Sequence, residues 1–233
     1  MKIYAHRGAS HDFPEMTMAA YENAVRQGAD GFECDLRLTK DGVAVLWHDA
    51  DLKRRADSDA VVAETSYKRL KEIYPQIVAL DEFLDFAIAE KKSLLLETKH
   101  PVPTRNAIED HVVEKIHSEV KRIEKSGISI NIMSFSWFAV ERVKKLDRNI
   151  LSTYLIREHT PWLNSRYSSA QCIGPGISFL RNNLALAQRI KESGRKLNVW
   201  TVDEPEDIKL CKHIGVDNLI TNRPGYAREI LQS

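Results

Sequence analysis

Three short polar clusters stand where apolar, β-branched runs come to an end: His6-Arg7-Gly8, Glu33-Cys34-Asp35 and Glu97-Thr98-Lys99. A buried strand should not close on an imidazole and a guanidinium without reason, and Gly8 frees the backbone for a tight turn beside a ligand. Side chains alternate along a strand, so Glu33 and Asp35 share one face, Cys34 takes the other, and Glu97 and Lys99 share a face by the same period. Two carboxylates on one inward face repel each other unless a cation or a proton sits between them. A hairpin adds a further member. Asp41-Gly42 lies between apolar strands, and a two-residue loop there pairs Lys40 with Val43 and Asp35 with His48. Each cluster alone has a plainer reading: a capping or salt-bridging pair, a solvated hairpin face, an internal ion pair. Phe32, Leu36 and Trp47 argue against a solvated hairpin, and the three clusters together argue for one site.

Glu33, Asp35 and Glu97 offer three carboxylates and no soft ligand, a donor set that selects a hard cation, Mg²⁺ or Ca²⁺, over zinc or copper. His6 and His48 supply two groups that titrate near neutral pH, and Arg7 and Lys99 supply fixed positive charge. With neutral histidines, the three acids, one divalent ion and these two cations leave a single net positive charge, which matches one phosphodiester. The chemistry of such an ester asks for these parts. Cation, Arg and Lys offset the charge that builds on the non-bridging oxygens. One imidazole takes a proton from the attacking hydroxyl and another gives one to the leaving alkoxide, each role contributing about 10²–10⁴ in rate.

The elements that must hold these residues alternate from end to end. The sequence predicts strands at 2–6, 32–38, 93–98, 128–134, 151–156, 172–178, 196–202 and 218–221. Amphipathic helices are predicted at 17–27, 81–90, 108–125, 136–145, 182–192 and 204–213, with 224–231 closing the chain and only a weak helix between 156 and 172. Eight β–α repeats in this length point to an α/β fold, a TIM (β/α)₈ barrel, whose site lies at the C-terminal ends of the strands. A doubly wound sheet is the alternative, but its Gly-x-Gly-x-x-Gly turn is absent. Residues 39–80 hold no convincing barrel helix. Val43–Trp47 is expected to run antiparallel to the second strand, followed by a charged, irregular stretch, so 40–80 reads as a small insertion after the second strand within a single domain spanning 1–233.

The chain has 233 residues, 34 basic and 33 acidic, with 43% hydrophobic and 29% charged side chains, an ordinary globular balance that excludes wholesale disorder. A net charge of +1 gives no reason to expect nucleic-acid binding. No apolar run is long enough to span a membrane. Cys34, Cys172 and Cys211 have neither metal-ligand spacing nor the number for a disulfide framework. The opening apolar stretch stops at His6, too short for a secretory signal, so a cytoplasmic location is expected.

At these residues the sequence resembles the glycerophosphodiester phosphodiesterase family. The matching segments are His6-Arg7-Gly8, Pro14-Glu15-x-Thr17, Phe32-Glu33-x-Asp35, His48-Asp49, Glu97-x-Lys99, Ser134-Phe135, Asn198-Val199-Trp200-Thr201-Val202 and Leu219-Ile220-Thr221-Asn222-x-Pro224, in family order along nearly the whole chain. The resemblance implies a barrel with an insertion after the second strand. It implies Glu33, Asp35 and Glu97 as ligands of one divalent cation, His6 and His48 as the acid/base pair, and Arg7 and Lys99 on the phosphate. Trp200 would lie beside the substrate and Glu15 near the site, without an assigned role. The implied reaction is hydrolysis of a small-molecule glycerophosphodiester to sn-glycerol 3-phosphate and an alcohol. Met16 stands where the family usually has Asn, and Lys53-Arg54-Arg55-Ala56 replaces its common x-Arg-Thr-Thr, a change at the expected pocket mouth that bears on the choice of leaving group.

Two other functions compete: hydrolysis of lysophospholipids at the same site, and a non-catalytic barrel that binds a phosphorylated ligand. The second would be favoured by loss of an acid or a histidine, and all five are present. His11, His111, His117, His159 and His213 are expected at the surface, and His100 at the rim. Cys34 is expected against the helical layer, and Trp47 and Trp137 in packing.

Overall fold

The computed structural model describes residues 1–232. Leu-, Ile- and Val-rich runs bounded by turn formers make the strands β1 (Lys2–His6), β2 (Gly31–Leu38), β3 (Ala44–Leu46), β4 (Asp51–Leu52), β5 (Ser58–Val61), β6 (Ser93–Thr98), β7 (Ile130–Ser134), β8 (Leu151–Ile156), β9 (Cys172–Pro175), β10 (Lys196–Val199) and β11 (Asn218–Thr221). Eight of them are parallel neighbours in the order β1-β2-β6-β7-β8-β9-β10-β11, and β1 pairs with both β2 and β11, closing the barrel. Helices cover the outside. Their buried stripes pack on the outward faces of the strands, as where Tyr21, Phe32 and Phe83 meet ring to ring. Cys34 is buried in this layer, as its outward parity requires.

The interior is filled in tiers, as the two-residue period of a strand demands. One tier is apolar: Tyr4, Leu95, Met133, Leu155 and Ile220. Two residues earlier on several strands lies a buried polar tier. There Asn218 Nδ2 donates to Asn198 Oδ1, Asn198 Nδ2 to Thr153 Oγ1, and Thr153 Oγ1 to Asn131 Oδ1, all at 2.8–2.9 Å. Two residues later lies the tier at the C-terminal mouth, His6, Glu97, Phe135, Arg157 and Asn222, while Trp200, two residues after Asn198, packs against the apolar tier.

Several expected boundaries move. Strand β9 stops at Pro175, not at 178, because proline donates no ladder hydrogen bond, and a helix begins at Ile177. The helix expected over 108–125 is two, Ala107–Ser118 and Val120–Ser126, with Glu119 at the break. The stretch 156–172 holds one short helix, Trp162–Tyr167. The segment between β2 and β6 contains β3, the β4–β5 ribbon and a helix, Tyr67–Ile73, over a small core of Val45, Trp47, Leu52, Val62, Leu70 and Ile77.

The hairpin register differs from the expected one by a single residue. Leu36 faces Leu46 and Leu38 faces Ala44, so Trp47, not His48, comes level with Asp35 and donates its N–H to the Asp35 carbonyl at 2.9 Å. The loop has three residues, not two. Thr39 Oγ1 donates to Asp41 Oδ1 (2.6 Å), Thr39 N–H pairs with the Val43 carbonyl, and Gly42 at φ +80° supplies the left-handed residue that closes such a loop. The slip does not remove His48 from the barrel mouth, because β3 ends at Leu46 and the chain bends away at Trp47-His48.

Candidate active site

Strands β1, β2 and β6 carry the charged half of the mouth, and a cleft of roughly 490 Å³ opens above the apolar tier. His6, Arg7, Glu33, His48, Glu97, Lys99 and Trp200 all line it, together with Phe135 and Arg157. Asp35 lies beneath the lining, fully buried, and Glu15 lies behind Arg7. The structure thus brings the nine sequence-predicted residues to one place.

Glu33, Asp35 and Glu97 are buried and each presents an oxygen within 4.8 Å of the others. Parallel pairing sets Asp35 level with Glu97 across the β2–β6 ladder, which is why the acids crowd. Burial and the Asp35 charge push Glu33 well above the ordinary carboxylate range and raise Glu97 to about 7. Burial would raise Asp35 too, but Arg7 and Lys99 outweigh it and hold this acid low. Arg7 Nε stands 2.9 Å from Asp35 Oδ2 and Lys99 Nζ 3.1 Å from Oδ1, yet neither aligns as a hydrogen bond, so both buried oxygens retain acceptor capacity. Three crowded carboxylates, two of them pushed toward protonation and one with both oxygens to spare, fit a hard divalent cation.

The turn after β1 aims Arg7. Its backbone is left-handed at φ 58°, a conformation costing a non-glycine residue about 1–2 kcal/mol. It is held by its N–H donating to the Glu33 carbonyl (3.0 Å) and by its carbonyl accepting from Met16 N–H (2.9 Å). Met16 is also left-handed, at φ 56°, the kind of position an Asn tolerates, and its side chain is buried. Thr17 caps the helix Met18–Arg26 and donates to the Pro14 carbonyl (2.8 Å), fixing the turn that carries Glu15. Glu15 receives a role here: it bridges Arg7 Nη1 (3.3 Å) and Arg54 Nη2.

The two histidines are oriented through the same ring atom by different partners. Asn222 Nδ2 donates to Asp203 Oδ2 (2.6 Å), which turns its Oδ1 toward His6 Nδ1 at 2.7 Å. His6 therefore carries its proton on Nδ1 and leaves Nε2 bare in the cleft, 3.8 Å from Glu33 Oε2. Burial, then the Arg7 charge, lower its pKa to about 4. His48 Nδ1 instead meets Asp49 Oδ1 at 2.8 Å, and Arg54 Nε holds the other Asp49 oxygen at 2.6 Å. Burial lowers His48 as well, against the pull of Asp35 and Asp49. On the opposite arc Phe135 and Trp200 meet edge to face at 5.3 Å, and Trp200 Nε1 donates to the Gly174 carbonyl (2.8 Å).

Sequence reading did not single out Asp203, Asn222, Phe135 or Arg157 as site residues. Asn222 and Phe135 carried a signal, lying within motifs quoted above, and the parity of the mouth tier finds Phe135 and Arg157 once the strand ends are known. Asp203 carried none. His100 pairs with buried Glu109 at 2.8 Å, and His117 with Asp147 at 2.9 Å.

Fold and site together define a (β/α)₈ barrel with an acid cluster and two oriented imidazoles at its mouth. The chain belongs to the glycerophosphoryl diester phosphodiesterase family, whose family model matches residues 6–226. It is 31% identical to a probable glycerophosphodiester phosphodiesterase 1 of Mycobacterium tuberculosis, over 99% of this chain and 92% of that protein. It is 30% identical to a glycerophosphodiester phosphodiesterase of Caldanaerobacter subterraneus, over 95% of this chain and 94% of that one. The fold matches an Oleispira antarctica phosphodiesterase solved in complex with the product sn-glycerol-3-phosphate, with a TM-score of 0.83 and 24% identity, covering 100% of this chain and 97% of that chain.

Proposed function

We propose that this protein hydrolyses glycerophosphodiesters to sn-glycerol 3-phosphate and an alcohol, with a divalent cation, Mg²⁺ or Ca²⁺, held by Glu33, Asp35 and Glu97. The observation that carries the reading is the meeting of three buried carboxylates and two oriented histidines in one cleft. The family membership and the product held by the Oleispira antarctica relative support it.

When bound, the cation supplies Lewis-acid stabilisation of charge on a non-bridging phosphate oxygen. Arg7 and Lys99, already at the cluster, hold the phosphate beside it and offset its charge as the attack proceeds. Nε2 of His6, bare because Nδ1 is committed to Asn222, takes the proton of the attacking hydroxyl, whether the glycerol 2-hydroxyl or water. Asp49 compensates the cationic form of His48, which gives its proton to the departing alkoxide. Glu15 and Arg54 position this set: Glu15 ties Arg7 to Arg54 of the insertion, and Arg54 in turn holds Asp49. The chain is read as one barrel domain with residues 40–80 inserted, acting on a small molecule and not on nucleic acid. Among the described residues no helix is long and apolar enough to cross a membrane. Three buried free thiols accord with a cytoplasmic location.

The test is a coupled assay for glycerol 3-phosphate release, with excess EDTA and with Mg²⁺ or Ca²⁺ restored. Loss and recovery of activity are expected, and hydrolysis undiminished by chelation would remove the three-acid site from the mechanism. Lysophosphatidylcholine is the second substrate to try, because a recess lined by Ile177, Phe179 and Trp200 adjoins the cleft.

A further inference from the structure

Arg157, the residue that follows strand β8, joins the mouth tier at the parity where β6 contributes Glu97 and β1 contributes His6. In the barrel order β8 lies diametrically across from β1, so Arg157 faces the charged arc from the far side of the cleft. Its guanidinium stacks over the Phe135 ring at 4.2 Å and stands 5.9 Å from the Trp200 ring centre. Its backbone N–H bonds Thr160 Oγ1 (3.0 Å), but among the described residues no carboxylate lies within ion-pairing distance of the guanidinium. The acids of the opposite arc already have Arg7 and Lys99 as counter-charges. Arg157 is therefore a positive charge beyond what one phosphodiester needs.

An edge-to-face aromatic pair in a pocket is a natural seat for a quaternary ammonium group. Here that seat is taken by the chain's own cation. The stacked guanidinium leaves its edge donors free, and their fork matches a carboxylate or phosphate. Arg157 and Trp200 also line the adjoining recess with Ile177 and Phe179, which gives an alcohol of variable size room on this side while the glycerol phosphate end stays at Arg7 and Lys99. Glu158 and His159 also line that recess, and neither is paired with the guanidinium.

We propose that Arg157 sets the head-group specificity of this site, selecting diesters whose leaving alcohol carries an oxyanion and disfavouring those whose alcohol is a quaternary ammonium such as choline. The proposal rests on the diesterase reading above for the identity of the diester, and its test separates the two. Three probes differ only in the alcohol: glycerophosphoinositol 4-phosphate, glycerophosphoinositol and glycerophosphocholine. They are titrated by calorimetry, with Ca²⁺ present, into a His6→Ala background that silences turnover, with Arg157 intact or changed to Ala or Lys. In parallel, glycerol 3-phosphate release is followed with His6 restored.

With Arg157 intact, the phosphorylated probe binds roughly tenfold or more tightly than the choline ester, the scale of one charge-assisted contact. Arg157→Ala brings the three affinities together, and Arg157→Lys retains part of the order because it keeps the charge and loses the fork. This exposed side chain carries little of the fold, and circular dichroism of each variant checks that. Equal affinities with Arg157 intact, or an order unchanged by Arg157→Ala, would overturn the proposal. An Arg157-dependent order without glycerol 3-phosphate release from any probe would uphold the specificity and overturn the diesterase reading instead.

Discussion

At His6 and His48 one ring nitrogen is tied down and the other is left to the cleft, but the ties differ in charge. A neutral amide backed by Asp203 holds His6, and a carboxylate clamped by Arg54 holds His48. The neutral tie does little to offset burial, so His6 stays unprotonated down to about pH 4 and is available as a base throughout the physiological range. The carboxylate tie, with Asp35, opposes the downward pull that burial still exerts on His48, and so supports the cationic form that an acid needs. His6→Ala and His48→Ala are each expected to lower kcat by about 10²–10⁴ with the circular dichroism spectrum unchanged; near-normal turnover in either variant would refute its role. Asn222→Ala removes no reacting group, yet it frees the His6 ring to rotate and change tautomer. A fall in kcat at nearly constant KM is expected, because the substrate contacts remain. A rise in KM alone would mean that Asn222 touches substrate instead.

The turn that follows β1 turns a strand end into a site. Gly8 at φ +86° has no room for a side chain: a Cβ there would lie 2.7 Å from the Ala20 Cβ and 2.8 Å from the Ala20 carbonyl carbon. Gly8→Ala is expected to lose stability through both the clash and the left-handed backbone, the latter alone about 1–2 kcal/mol. It should also displace Arg7, lowering the melting temperature and kcat together; a variant with a lower melting temperature and full activity would uncouple the turn from the site. Such strand ends were legible in the sequence because apolar runs stop abruptly at His6, Glu97 and Thr221, and parity then puts Glu33 with Asp35 and Glu97 with Lys99. The hairpin was less so. Asp-Gly marks a turn, but whether two or three residues form the loop depends on Thr39 bonding Asp41, a choice made by side chains and not by the dipeptide. Partners brought together only by barrel closure were not legible at all. His6 and Asn222 stand 216 residues apart, and neither one's local sequence announces the other.

For the molecule as a whole, the acid cluster is a cost that the fold carries. Glu97, ordinarily ionised above about 4.5, holds its proton to about 7 in the folded barrel because burial and Asp35 oppose its charge. The folded state then binds more protons than the unfolded chain between those values, so this group's contribution to stability is present at low pH and is lost as pH rises toward 7. His6 has the opposite sign. Its folded pKa lies below 6.5, so its contribution is complete above 6.5 and is lost as pH falls toward 4. Above pH 7, with His6 neutral in both states, the carboxylates are left as the unrelieved repulsion, and a cation that needs them deprotonated binds best there. The rise in melting temperature on adding Mg²⁺ or Ca²⁺ should therefore be larger at pH 8 than at pH 5.5. In EDTA at pH 8, Glu97→Gln should melt above the parent protein, by roughly 2–4 °C for each kcal/mol of repulsion removed. The same variant should lose both the cation-induced shift and turnover, since the acid that destabilises the barrel mouth is one that holds the ion. A Glu97→Gln protein that melted lower in EDTA would mean instead that the Lys99–Glu97 ion pair, 2.6 Å long, outweighs the crowding of the acids.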